Sequence, residues 1–361
     1  MKVAVIHDWL TGIRGGEKVL EQILLLYPEA DIFTLICDKS RLTGPIVEHK
    51  IQTTFLQLIP GIFGNYRNFL PLFPAAIESF DMKGYDLVIS SSHCVAKGIK
   101  PVKGARHACY CHTPMRYAWD QFSNYFSPER NGFIKYSLIA GIMPYLRRWD
   151  AKTAPRVTAF MANSNTVRDR IKNYYGRESS VVHPPVDTDF YSPGGVKEDF
   201  YLMVSALTEY KKVDFAVGLF NRMSGKKLVV IGGGPLLDKI RRMAGPNVSL
   251  PGYLSDSEIR RHYRGAKAFI FPGEEDFGIT MAESLACGTP VLAFHKGGSR
   301  DIVTEGVTGE FYDGTDESFI KTLEKMGEKR YDSKKMRQDS LNFSKEKFRE
   351  NFGIFIGNMC L

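Results

Sequence analysis

Short runs of β-branched and aliphatic residues alternate along the chain with longer stretches whose apolar positions return every three or four residues. The first run, residues 3–7, reads Val-Ala-Val-Ile-His. Further runs of the same kind cover residues 31–36, 86–90, 107–111, 158–162 and 180–182, then 201–204, 227–231, 268–271 and 290–293. Apolar residues at consecutive rather than alternate positions are expected where a strand is covered on both faces, as in parallel sheets with helical crossovers. Two such series predict an α/β chain of two doubly wound, parallel-sheet, Rossmann-like domains.

The series breaks once. Val-His-Pro-Pro-Val at 182–186 and Tyr-Ser-Pro-Gly-Gly at 191–195 disfavour helix and read as a connector. The expected domains are 1–190 and 191–342. A last segment, 343–361, carries Phe343, Phe348, Phe352 and Phe355 at helical spacing. It reads as a helix able to pack on either domain, and is assigned to the first. Residues 55–80 interleave Phe, Leu and Ile with Arg67, Pro60, Pro71 and Pro74. That pattern fits interdomain packing, or a short amphipathic segment facing a membrane or lipid-like acceptor.

At 361 residues and 43% hydrophobic, the chain can fill two cores, which excludes a disulfide-stapled miniprotein or a disordered tail. Six cysteines are too few for a disulfide framework, and the C-x-C at Cys109 and Cys111 lacks a second pair for zinc. A reduced, cytoplasmic chain is expected. No apolar stretch reaches the length of a bilayer span. The net charge is +8, most of it within residues 1–190. Such a surplus suits an anionic partner, and it equally describes an ordinary basic protein.

Three glycine-bearing strand ends carry candidate chemistry. Gly12-Ile13-Arg14-Gly15-Gly16-Glu17 follows the first strand and opens a helix, where glycine lets a backbone approach a phosphate and free N–H groups await it. A plain strand-to-helix turn looks the same. Ile231-Gly232-Gly233-Gly234-Pro235 closes another strand, with the same two readings. The third, Phe271-Pro272-Gly273-Glu274-Glu275-Asp276-Phe277-Gly278-Ile279-Thr280-Met281-Ala282-Glu283, places two carboxylates on either side of a helix start. A loop carboxylate can accept hydrogen bonds from sugar hydroxyls, and one further along can take both hydroxyls of a ribose. Both could instead complement the helix dipole. No G-x-G-x-x-G or Walker pattern occurs, which argues against a dehydrogenase.

The third segment, continued by Ser284-Leu285-Ala286-Cys287-Gly288-Thr289-Pro290-Val291, resembles the two-glutamate signature of the retaining, nucleotide-sugar-dependent glycosyltransferases of family four. Gly15-Gly16-Glu17, Ala162-Asn163-Ser164-Asn165, His183-Pro184-Pro185-Val186-Asp187 and Gly252-Tyr253-Leu254-Ser255-Asp256 agree in order. Cys111-His112-Thr113-Pro114-Met115-Arg116-Tyr117, Leu70-Pro71-Leu72-Phe73-Pro74 and Ser91-Ser92-His93-Cys94 narrow the resemblance to bacterial O-antigen and capsule mannosyltransferases.

The resemblance implies a GT-B fold, two Rossmann-like domains facing across a cleft, and assigns roles by position. Glu275 would hold donor-sugar hydroxyls and Glu283 the ribose. The backbone of Phe277, Gly278 and Ile279 would approach sugar and diphosphate. Lys211 matches the phosphate-clamp lysine, while the clamp arginine is replaced by Ala206, leaving Lys212 or Arg14 to supply a second cation. Gly15, Gly16 and Gly233 would pass close to the donor, and Tyr253 with Leu254 would meet its base. His112 matches the histidine beside the reacting sugar carbon. Lys97 and Arg116 would meet acceptor or phosphate groups.

The implied reaction moves a hexose, mannose from GDP-mannose, onto a polyprenyl-diphosphate-linked or other glycan in O-antigen, capsule or exopolysaccharide synthesis. No cofactor and no metal are expected, nucleic acid is not a partner, and the protein would rest on the anionic inner leaflet of the plasma membrane. The alternatives are a GT-B epimerase or phosphorylase, or an inactive nucleotide-sugar-binding partner subunit.

Overall fold

A computed structural model describes residues 1–360, apart from the side chains of Asn124 and Arg130; Leu361, the end of the expected terminal helix, lies outside the described residues. The chain forms two compact units. One comprises Met1–Pro185 and the segment from Phe348 onward, the other Val186–Lys347.

The first unit holds seven parallel strands: β1 (Val3–His7), β2 (Asp31–Thr34), β3 (Ile51–Thr53), β4 (Leu87–Ser92), β5 (Arg106–Cys111), β6 (Ala159–Ala162) and β7 (Ser179–Val181). Their order is β3-β2-β1-β4-β5-β6-β7. The pleat sends neighbouring residues to opposite faces, and both faces are apolar. Ala4, Ile6 and Val88 join one core with Phe33, Phe73 and Met143. Val3, Val5, Leu87, Ile89 and Tyr110 join another with Leu20 and Ile23 of the helix Gly15–Leu26. This two-sided burial is why the strands read as unbroken apolar runs.

The second unit repeats the plan with β8 (Tyr201–Val204), β9 (Leu228–Ile231), β10 (Val248–Gly252), β11 (Ala268–Phe271), β12 (Val291–Phe294) and β13 (Gly309–Tyr312), ordered β10-β9-β8-β11-β12-β13. Leu202, Phe269 and Phe271 enter one core, and Tyr201, Met203 and Ile270 the other. The doubly wound α/β expectation is met in both units.

Three strands absent from the sequence reading, β3, β10 and β13, all lie at sheet edges. An edge strand is covered less, so its apolar run is short or interrupted. The division falls at 185/186 rather than 190/191. Val186 and Tyr191 are buried in the second unit's core, and the Val186 N–H donates to the Phe343 carbonyl at 2.8 Å.

Residues Lys345–Cys360 form the terminal helix. Its Phe348, Phe352 and Ile356 fill the first unit's core beside Val5, Leu87 and Tyr110. Burying each of these side chains contributes about 1.5–3 kcal/mol. The segment 55–80 delivers Leu56, Ile62, Tyr66, Phe73 and Ile77 into the first unit's own core, and leaves Phe55, Leu58, Phe63 and Leu72 exposed.

Each sheet has one place where the strand order reverses, between β1 and β4 and between β8 and β11. In open parallel sheets ligands bind outside the carboxyl ends of the strands at that reversal. Gly15 and Gly16 follow β1, Lys211 follows β8 and Glu275 follows β11, at those two places, whereas Gly233 follows β9 and Tyr253 and Leu254 follow β10.

Candidate functional site

In the first unit β1 ends on His7 and is followed by Asp8, β4 carries Ser91 and Ser92 and is followed by His93, and His112 directly follows β5. Parallel register sets His7 opposite Ser91. His7 Nδ1 lies 3.1 Å from Ser91 Oγ, and the same oxygen lies 2.8 Å from His112 Nε2. On the far side of His7, Nε2 is 3.7 Å from Glu17 Oε1. Glu17 sits in the first turn of the helix Gly15–Leu26, and its other oxygen accepts the Arg14 N–H at 2.9 Å.

Asp8 is fully buried. Its carboxylate accepts the amides of His93, Cys94, Val95 and Ala96 at 2.6–2.9 Å and sits 3.1 Å from His93 Nδ1. Four N–H donors stabilise the charge in place of water. Asp8 thereby pins the loop after β4.

Burial depresses His112 well below the usual imidazole range, and the nearby His93 and His7 add to this. His93 is lowered by burial against the opposing pull of Asp8. For Glu17, burial pushes the carboxyl up, but the facing His7 imidazole, a hydrogen bond from its own backbone and the nearby His93 together leave the group below its ordinary value. The pocket wall therefore combines an ionised carboxylate with a neutral His112.

Gly15 and Gly16 open the helix beside these groups. A Cβ placed on Gly16 would lie 3.6 Å from His7 Cε1 and 3.9 Å from His112 Nε2. The structure thus brings the expected Gly16 and His112 together. Arg14 is exposed at the helix start. Arg116 is near enough to His93 to lower its proton affinity.

Lys97 does not belong to the site. Its side chain is 1% exposed, and Nζ pairs with Asp150 Oδ1 at 2.8 Å and donates to Thr153 Oγ1 at 3.0 Å. A lysine so enclosed cannot reach an acceptor or phosphate. Its charge offsets the buried Asp150, which also accepts the Trp119 Nε1–H and Tyr175 O–H, each at 2.8 Å.

In the second unit Lys211, in the turn after β8, forms an ion pair with Glu275 Oε1 in the loop after β11. Both are mostly enclosed, at 14% and 18% side-chain exposure. The two loops touch because position 273 is glycine: a Cβ there would come within 2.5 Å of the Tyr210 carbonyl oxygen and 2.9 Å of Lys211 Cα. Lys212 follows in the left-handed region at φ 55°, a conformation that ends the turn and starts the helix Val213–Asn221.

Gly278, at φ 94°, opens the helix Ile279–Ala286. The N–H groups of Ile279 and Thr280, at the start of that helix, have no carbonyl a turn earlier to bind, whereas the Met281 N–H donates to the Gly278 carbonyl at 2.9 Å. Phe277 buries its ring against Phe343 at a centroid distance of 5.4 Å, so only its backbone is available to a ligand. Glu283, one turn into the helix, is 6% exposed and accepts the Tyr263 O–H at 3.1 Å.

Gly233 lies against the Tyr253 ring, where a Cβ would approach to 2.6 Å. Tyr253 itself is 82% exposed, whereas Leu254 is partly buried against the core. The Gly297-Gly298 loop after β12 was not singled out from the sequence. The Gly298 N–H donates to the Glu275 carbonyl at 2.8 Å, and a Cβ on Gly298 would fall 2.3 Å from Phe277 Cα. This pair of glycines holds the Glu275–Phe277 backbone in place. His7, Asp8, Ser91 and His93 were likewise not assigned roles; His7 and Asp8 show only polarity at the carboxyl end of an apolar strand, and Ser91 and His93 entered only as part of the resembling stretch Ser91-Ser92-His93-Cys94.

Chemically, the second unit offers a carboxylate for hydroxyls, a cation and helix amides for an anion, and a second carboxylate a turn away. The first unit offers a neutral imidazole beside a glycine backbone.

Comparisons with known proteins bear on the family and the fold. The model of the "Glycosyltransferase Family 4" domain matches residues 15–190, and that of "Glycosyl transferases group 1" matches residues 189–343. The chain is 30% identical over 190 residues to the GDP-mannose-dependent alpha-(1-6)-phosphatidylinositol monomannoside mannosyltransferase of Mycolicibacterium smegmatis, covering 44% of this chain and 50% of that one. It is 33% identical over 134 residues to a GDP-mannose-dependent alpha-mannosyltransferase of Corynebacterium glutamicum, covering 37% and 31%. These matches span half or less of the curated relatives' length. Among solved structures, a lipopolysaccharide outer core galactosyltransferase, WaaB, in its apo form aligns over 99% of both chains with a TM-score of 0.70 at 18% identity. The sucrose-phosphate synthase of Thermosynechococcus elongatus does so over 99% of both with a TM-score of 0.72 at 14% identity.

Proposed function

We propose, from the premise that this chain belongs to the group 1, family 4 glycosyltransferases of GT-B fold, that it transfers mannose from GDP-mannose to a glycan hydroxyl with retention at the anomeric carbon. The observation that carries the proposal is the Lys211–Glu275 pair. It puts a hydroxyl-binding carboxylate and a phosphate-balancing cation at one point, and a sugar diphosphate joins hydroxyls to phosphate at one point too. GDP-mannose is the donor named for the mycobacterial and corynebacterial relatives.

In this reading Glu275 accepts hydrogen bonds from the mannose hydroxyls and Glu283 from the ribose. The bond from the anomeric carbon to the diphosphate oxygen breaks as the bond to the acceptor oxygen forms. The acceptor proton passes to the departing phosphate oxygen on the same face. Negative charge grows on the diphosphate, where Lys211 and the amides at the start of helix Ile279–Ala286 stabilise it in a site that needs little reorganisation. His112, neutral through burial, orients a donor-sugar hydroxyl. Gly15, Gly16 and Gly233 leave room for the donor's backbone-side contacts, and Tyr253 with Leu254 flanks the base. No metal is assigned a step, because fixed cationic and amide groups face the leaving diphosphate.

Ala206 supports a second reading. With the clamp arginine missing, a donor-binding partner subunit without turnover would have the same sequence. Thermal-shift titration with GDP-mannose and with UDP-, ADP- and dTDP-sugars, followed by radiolabelled transfer to membrane glycolipids, separates the two. The first reading expects stabilisation by GDP-mannose and labelled lipid that requires Glu275. Stabilisation by UDP-sugars alone overturns the donor, and stabilisation without transfer supports the partner subunit.

We propose further a lipid-linked acceptor in surface-polysaccharide synthesis, reached from an anionic membrane surface. No described helix is long and apolar enough to cross a membrane. The helix Phe133–Thr153 instead buries Met143 and Leu146 and exposes Phe133, Ile134, Leu138 and Tyr145. Lys135 and Arg148 are exposed on the same helix. An apolar outward side flanked by cations suits the headgroup region of acidic lipids. Flotation with anionic vesicles is the check: binding that fails at low salt removes the membrane contact.

A further inference from the structure

We propose that Glu17, His7 and Ser91 are positioning residues that set which way the His112 imidazole hydrogen-bonds, so that protonation of His7 inverts His112 from a hydrogen-bond acceptor to a donor. The role at a sugar hydroxyl rests on the transferase reading; the relay itself does not.

The four groups form one line through the first unit. Glu17 Oε1 faces His7 Nε2 at 3.7 Å, His7 Nδ1 meets Ser91 Oγ at 3.1 Å, and Ser91 Oγ meets His112 Nε2 at 2.8 Å. His7 and Ser91 are fully buried, and Glu17 is 6% exposed. Nε2 of His7 makes no hydrogen bond and is closed off from solvent. The line therefore has one carboxylate end and one open end, the Nδ1 side of half-buried His112, to which no described group is hydrogen-bonded.

A hydroxyl between two imidazoles has one proton to give, and this fixes the polarity. With His7 neutral, its Nε2–H faces the Glu17 carboxylate and Nδ1 accepts the Ser91 O–H. Ser91 Oγ then accepts from His112 Nε2–H, and His112 Nδ1 carries a lone pair. With His7 protonated, Nδ1–H donates to Ser91, whose proton turns to His112 Nε2. His112, kept neutral, now carries its proton on Nδ1. The balance is one proton taken from solvent at His112 Nδ1, the Nε2 proton of His112 passed to Ser91 Oγ, and the Ser91 hydroxyl proton passed to His7 Nδ1. Only the first form accepts a bond from a hydroxyl at Nδ1.

The other charged neighbours are accounted for. Asp8 is engaged by four amides, and His93 lies beside it with its ring 6.3 Å from His7 and 6.2 Å from His112. Arg116 acts on His93, and the Tyr110 ring packs on His112 at 5.1 Å without a charge. Burial disfavours the charged form of His112, whereas His7 faces the Glu17 carboxylate at 3.7 Å, so an added proton is stabilised at the carboxylate end of the line.

The test is imidazole nitrogen NMR on the full chain labelled with 15N-histidine, which reads tautomer and charge without any sugar present. The relay predicts that His112 changes from the Nε2–H to the Nδ1–H form with the same midpoint as His7 protonation. Ser91→Ala uncouples the two, and Glu17→Gln, which keeps the Arg14 contact, moves both midpoints together to lower pH. A His112 that keeps one tautomer through the titration of His7, or a coupling that survives Ser91→Ala, overturns the proposal. In the transfer assay with GDP-mannose, kcat/KM should fall toward low pH with that same midpoint in the wild type and lose that dependence in Ser91→Ala. NMR coupling with no such pH dependence leaves the relay standing and refutes its use in transfer.

Discussion

Replacing Lys97 by methionine distinguishes a structural lysine from a ligand-binding one. The substitution keeps the aliphatic stem and removes the charge. Asp150, 0% exposed, keeps its bonds from Trp119 and Tyr175 but loses the one cation within reach among the described residues. Breaking a buried pair from one side costs about 3–5 kcal/mol. For a unit of this size that is a fall in melting temperature of roughly 10 °C. Urea unfolding should show a lower midpoint with an unchanged slope, because the buried surface is the same. Turnover per folded molecule, measured well below the transition, should stay at the wild-type value. Removing Asp150 as well, as Lys97→Met with Asp150→Leu, should recover part of the loss. A Lys97→Met protein as stable as wild type but inactive would refute this account and return Lys97 to the site.

The other predictions concern the loops and one acidic group. Gly298→Ala forces a Cβ to 2.3 Å from Phe277 Cα, so the Glu275 loop must shift; a displacement near 1 Å should raise KM for the donor or lower kcat by roughly 100-fold, read by steady-state kinetics. Gly16→Ala makes ordinary contacts of 3.6 and 3.9 Å with His7 and His112, so the melting temperature should hold while transfer falls. Glu310 is buried, which raises its carboxyl pKa, but Lys325, Lys329 and Tyr331 hold it below the usual value. Its contribution of about 2 kcal/mol is present above the unfolded carboxyl pKa and is lost as pH falls through the folded one. The stability gap between wild type and Glu310→Gln should therefore shrink on acidification, as urea midpoints across pH will show. Phe133→Asp with Leu138→Asp should weaken flotation on anionic vesicles without altering the melting temperature, since both side chains are exposed.

Much of the fold was legible because a parallel sheet writes itself as consecutive apolar residues. Tyr201–Val204 and Ala268–Phe271 are read to the residue, and they are central strands buried on both faces. Ile51–Thr53, Val248–Gly252 and Gly309–Tyr312 escape because edge strands carry Gln52, Ser249 and Glu310 where a central strand would carry aliphatics. The Glu275 and Glu283 segment was legible for a related reason: its strand, glycine turn and helix are contiguous, so local sequence holds the whole device. Lys97 misled, because nothing near it announces that Asp150, 53 residues on, will enclose it. The line from Glu17 to His112 was hidden for the same cause. His7 and Ser91 meet only through the register of β1 and β4, and register is a property of the folded sheet. Gly297 and Gly298 look like any loop until the backbone they press on is known.

The central claim is that Glu275 and Lys211 hold the two halves of an activated sugar. A crystal structure of the protein with GDP-mannose tests it most directly. The account predicts mannose hydroxyls on the Glu275 carboxylate, the diphosphate between Lys211 Nζ and the amides at the start of helix Ile279–Ala286, and the ribose on Glu283. Density for the donor at any other place, with the Lys211–Glu275 pair undisturbed, would contradict it.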